Sequence, residues 1–159
     1  MLTGLLHAHS LLRYVLLFLL LISIVKSFNG WGLKKTYTGG DRKLALFTVI
    51  SAHLQLVIGL VLYFISPNVK VGLANMGEAM KNPELRFWTV EHISMMLIAI
   101  ILITIGSIRA KRALTDEGKH KQVAVFFLIA LAIIFVAIPW PWKEVARGWY
   151  IEHVTSHFQ

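Results

Sequence analysis

Read for apolar positions alone, the chain shows four long blocks separated by short polar stretches. They run from about Leu5 to Val25, Leu44 to Ile65, Phe87 to Ile108 and Val123 to Trp142. A helix that crosses hydrocarbon needs about 20 mostly apolar residues. The first three blocks meet that length outright. The fourth reaches it through Pro139-Trp140-Pro141-Trp142, whose indoles, with Trp149 and Tyr150, suit a membrane–water interface. The pattern predicts an all-α four-helix transmembrane bundle of up-down topology, a single integral membrane domain over residues 1–159. The first block has no basic leader and no small-residue cleavage site, so it reads as a retained helix, not a signal peptide. Asn29-Gly30-Trp31-Gly32 and Gly39-Gly40 read as the turn region between the first two spans.

Composition agrees. Of 159 residues, 57% are hydrophobic and 15% charged, against roughly a quarter charged in soluble chains. The absence of cysteine excludes a disulfide framework, an iron–sulfur cluster and a thiolate zinc site. The net charge of +8 gathers between the apolar blocks and forms no helix-face patch, which argues against nucleic acid. Lys26, Lys34, Lys35, Arg42 and Lys43 lie between the first two spans, and Arg109–Lys121 holds five more cations. The 66–86 loop carries only Lys70, Lys81 and Arg86, and the tail Lys143 and Arg147. By the positive-inside rule the first and third loops face the cytoplasm, with both termini and the 66–86 loop on the outer side. No phosphate-cradling glycine loop, nucleophile elbow or paired carboxylates appear, so a hydrolytic mechanism has no support.

Ionisable residues inside spans are costly and point to function. Here they are His7, His9 and Arg13 in span one, His53 in span two, and Glu91 with His92 in span three. At ~1.5 Å of rise per residue, His9 and His92 lie ~6 and ~7 Å in from the outer ends of their spans. His53 lies nearer the midplane, at ~18 Å by the same count. Helical phase puts His9, Leu12, Arg13, Leu16 and Leu20 on one face, with His7 pointing away. In span three, Trp88, His92, Met95, Met96 and Ala99 share a face. In span two, Thr48, Ala52, Gln55 and Gly59 form a small-polar stripe suited to close packing.

Two imidazoles at equal depth on facing helices suit the axial positions of a b-type haem. His9 and His92 are the leading ligands and His53 the substitute. Arg13 would face a propionate or offset Glu91. Glu91 pairs with a nearby cation or relays protons to a quinone-type site. The alternative for buried histidines is hydrogen bonding and packing without any metal. Met95-Met96 reads as core filler, His120 in Lys-His-Lys as a solvated interfacial residue, and the His153/His157 pair as tail polarity.

The segments Leu5-Leu6-His7-Ala8-His9-Ser10-Leu11-Leu12-Arg13-Tyr14, Ser51-Ala52-His53-Leu54-Gln55 through Ser66-Pro67, Arg86-Phe87-Trp88-Thr89-Val90-Glu91-His92 and Ile138-Pro139-Trp140-Pro141-Trp142 with Gly148-Trp149 resemble the short bacterial four-span membrane proteins labelled "cytochrome B". The resemblance covers about residues 1–150 and implies a b-type cytochrome of the bacterial inner membrane. It carries over His9, Arg13, His53, Glu91 and His92 as haem-site positions. Di-haem bundle cytochromes place histidine pairs near both faces, whereas the inner face here offers only His120, so one haem b is expected. The expected role is electron transfer, not stand-alone catalysis, from a quinol to an outward redox protein, as a homo- or hetero-oligomer. The alternative is a haem-free accessory or assembly subunit of a larger membrane complex.

Overall fold

The structure, a computed structural model, describes residues 2–140 together with 142 and 143. Pro141, Trp149, Tyr150, His153 and His157 lie outside the described residues. The elements are α1 (Leu2–Gly32), α2 (Gly39–Ile65), α3 (Pro67–Ala74), α4 (Met76–Lys81), α5 (Pro83–Arg86), a π turn (Phe87–Glu91), α6 (His92–Arg112) and α7 (Asp116–Ala137). Helix α5, the π turn and α6 run together as one 30-residue segment, Pro83–Arg112. With α1, α2 and α7 it makes four helices long and apolar enough to cross a membrane.

The four long helices form a ring in the order α1, α2, α6, α7, each packed on the next and α7 closing back onto α1. Helices α1 and α6 are therefore diagonal. Small side chains line the contacts: Ala45, Ala52, Ala99, Ala110, Ala124, Ala130 and Ala137 are all buried. In a bilayer, close backbone approach through such residues is what holds helices together, because lipid tails are as apolar as leucine. Larger residues, Leu20, Ile103, Phe127 and Ile134 among them, fill the centre. Phe18, Leu21, Phe47, Ile98, Ile101 and Phe135 instead stand exposed on the outside, an arrangement that only a hydrocarbon solvent makes favourable.

The helix ends differ from the sequence reading in a consistent way. The expected turn at Asn29–Gly32 is the last turn of α1, and the connection to α2 spans 33–38, with Lys34 at φ 49° in the left-handed region. Gly39 and Gly40 open α2, where Thr38 caps the helix and Asp41 returns the bond, Oδ2 accepting from the Thr38 N–H at 2.9 Å. Gly30 is spent on packing. A Cβ there would fall 2.4 Å from the His120 ring. Helix α7 starts at Asp116, behind the Thr115 cap, seven residues before the expected Val123. The 66–86 stretch is three short helices folded against the ends of α2 and the π turn, with Val69, Gly72 and Ala79 buried.

Candidate functional site

Where α1 begins and α6 begins, His9 and His92 meet across the diagonal of the ring, their imidazole centroids 6.4 Å apart and their planes at 69°. His9 is held by α2. Gln55 Nε2 donates to the His9 carbonyl at 2.9 Å, and Gly59 leaves room for the ring, since a Cβ at that position would fall 3.2 Å from His9 Cε1. Thr48, Ala52 and Gln55 are buried on the same face of α2, and Thr48 meets Ser23 of α1 at 3.1 Å. The small-polar stripe thus draws α1 close enough to place His9.

His92 is held by α7 and by the π turn. Its Nδ1 lies 2.9 Å from the Ala137 carbonyl; a carbonyl only accepts, so Nδ1 carries the proton. The rings of Phe87 and Trp88 pack on it at 5.7 and 5.8 Å. A carbonyl partner on one imidazole nitrogen fixes the tautomer and leaves Nε2 as the basic nitrogen, the arrangement common to metal-ligating histidines. The π turn is itself tied down, for Tyr63 of α2 donates to the Thr89 carbonyl at 2.9 Å.

The other expected residues are distributed differently. His53 is exposed on the outer side of α2, its Nδ1 on the Val49 carbonyl at 2.8 Å. It lines a shallow groove of about 260 Å³ with Leu56, Leu97 and Thr104, away from the His9–His92 pair. Arg13 lies one turn below His9, its guanidinium 4.8 Å from the Tyr14 ring centre and its buried Nε without a hydrogen-bond partner. It does not offset Glu91. That carboxylate is bound by Arg86, Nε to Oε1 at 2.6 Å. His7 is exposed, as its phase requires. His120, expected to be solvated, is 2% exposed, with neither ring nitrogen hydrogen-bonded. The early start of α7 turns it inward against Gly30, with the Tyr37 ring at 4.9 Å.

Among the described residues no group of three or more His, Asp or Glu side chains converges on a metal site. A bare zinc ion wants four ligands and a bare calcium six or more, which a pair of imidazoles cannot supply. Metal–imidazole bonds are about 2 Å long, so two imidazoles trans across one metal have centroids about 6 Å apart. Compared with protein-family models, with curated proteins and with solved structures, the chain matches none of them.

Proposed function

We propose that the protein is a membrane b-type cytochrome of the bacterial inner membrane, binding one haem between His9 and His92 and carrying single electrons from a quinol to an outward acceptor. The observation that carries this reading is the diagonal pair itself. Two imidazoles from different helices stand 6.4 Å apart, one oriented by a backbone carbonyl, with no third ligand converging among the described residues. Such a donor set suits an iron already held in a porphyrin plane, and the bound haem would supply one-electron redox chemistry at a potential set by its ligands and burial.

The protein's own groups then have defined tasks. The Ala137 carbonyl keeps the proton of His92 on Nδ1. Gly59 and Gln55 position His9, and Phe87 and Trp88 exclude water from the His92 side. Arg13 places a cation one turn from His9, available to a propionate. His53, on the outer face of α2, takes no part. The haem-free accessory subunit remains the second reading, and the broad exposed apolar faces of α1 and α6 would then be its partner surface.

Purified protein from haem-replete cells is expected to show a Soret band and a sharp α-band on dithionite reduction. His92→Ala and His9→Ala should each abolish the low-spin spectrum, and His53→Ala should leave it unchanged. A colourless, folded wild-type preparation would overturn the cytochrome reading and favour the accessory one.

A further inference from the structure

At the end of the bundle opposite the histidine pair, lysines from two elements gather around one indole. The Lys121 ammonium of α7 lies 5.4 Å from the centre of the Trp31 ring, which stacks on Phe28 at 6.1 Å and 29°. Helix α1 stops just beyond. Lys34 takes a left-handed φ of 49°, and the Lys35 N–H turns back to the Gly30 carbonyl at 2.9 Å. Gly30 meets His120, the chain neighbour of Lys121, so Lys34, Lys35 and Lys121 share one corner of the bundle. All three are exposed.

The acids at this end do not answer them. Asp41 holds Lys26 at 2.9 Å and Asp116 holds Lys119 at 3.0 Å. Glu117, one turn before Lys121, is exposed, and among the described residues neither it nor any of the three lysines enters an ion pair. Depth narrows what could. Val25 closes the apolar run of the first span, and at ~1.5 Å of rise per residue Phe28 and Trp31 lie ~4.5 and ~9 Å past it. Lys121 stands ~3 Å outside Val123 by the same rise. Helical side chains lean toward the N-terminus, which returns both rings toward hydrocarbon. The headgroup layer is about 5–8 Å thick on each side, so rings and ammonium meet within it. Apolar surface adjoins the charges, with Leu33 66% and Phe28 39% exposed. A soluble acidic protein or a nucleic acid would neutralise the lysines and leave those side chains in water. An anionic phospholipid covers both.

We propose that this corner binds the headgroup of an anionic phospholipid, its phosphate shared by Lys34, Lys35 and Lys121, with Trp31 level with the glycerol backbone and Phe28 against the upper acyl chains. Basic clusters beside span ends attract such lipids, and here the aromatic pair fixes where the lipid sits. The site stands apart from His9 and His92 and needs no haem.

The test is native mass spectrometry of the delipidated full-length protein, titrated separately with phosphatidylglycerol, with phosphatidylcholine of the same acyl chains, and with glycerol 3-phosphate. The first phosphatidylglycerol should bind at least tenfold more tightly than phosphatidylcholine, and glycerol 3-phosphate should give no adduct. Lys34→Gln/Lys35→Gln/Lys121→Gln should lower phosphatidylglycerol binding at least tenfold. Arg42→Gln/Lys43→Gln/Lys111→Gln, equal in charge and also at exposed positions, should lower it less than threefold. The lipid comparison on the unaltered chain needs no variant, and equal affinity for the two lipids there overturns the proposal. Equal losses in the two triple variants do the same, since they reduce the site to diffuse attraction. Glycerol 3-phosphate binding as tightly as the lipid would make the corner a free-phosphate site and likewise overturn it.

Discussion

At the scale of single residues, two glycines decide where histidines can lie. Gly59 admits His9 toward the diagonal, and Gly30 admits His120 into the α1–α7 seam at the opposite end of the bundle. The two cases were unequally visible beforehand. Depth and phase counted along a straight helix suffice to match His9 with His92, because both quantities are local to each span. The burial of His120 depends on which residue of α1 it meets, and no periodicity encodes that. Gly30→Ala is expected to destabilise the protein by about 1–3 kcal/mol, since its Cβ would lie 2.4 Å from the imidazole and the buried ring is packed against Tyr37. Thermal unfolding in detergent measures the loss. His120→Ala in the same chain should recover most of it, a non-additivity expected only of residues in contact. Equal destabilisation in single and double variants would mean that the contact is not the cause.

Elements add what single positions cannot. The Arg86–Glu91 ion pair joins residues five apart, which an α-helix turns to different sides but a π turn brings into line. A reading at 3.6 residues per turn therefore had no reason to pair them, and the only cation it named for Glu91 was Arg13. The same turn redirects Thr89 so that its carbonyl reaches Tyr63. Tyr63→Phe should cost about 1 kcal/mol in unfolding free energy by loosening the element that carries Phe87 and Trp88. An unchanged melting temperature would show the bond to be incidental. The connection between α1 and α2 makes a second element-level prediction. Burial, reinforced by the Asp41 charge, raises the Tyr37 phenol from its ordinary 10.0 to about 12. A raised acid is stabilising while protonated, so its contribution holds below pH 10 and is lost as pH climbs toward 12. Between those values the wild-type melting temperature should fall more steeply than that of Tyr37→Phe; parallel curves would remove Tyr37 from the account.

For the whole molecule, what the sequence conveyed well was the number of spans, because hydrocarbon thickness imposes a minimum apolar length on each. Their ends were less legible: capping by Thr38 and Thr115 extends α2 and α7 into polar sequence, where hydropathy carries no signal. The fold places the 33–38 and 113–115 connections at one end and the His9–His92 pair at the other. Which end faces the cytoplasm is a matter of charge. Ten of the fifteen loop and tail cations flank the two short connections, and cations within about 15–20 residues of a span end set its orientation. The chain has no cysteine, so single replacements report cleanly. An impermeant maleimide added to intact cells should modify Glu78→Cys in α4 and spare both Thr36→Cys and Leu114→Cys, the last at a position 99% exposed. After lysis all three should react. Modification of Thr36→Cys and Leu114→Cys in intact cells would invert the protein and turn the histidine pair toward the cytoplasm.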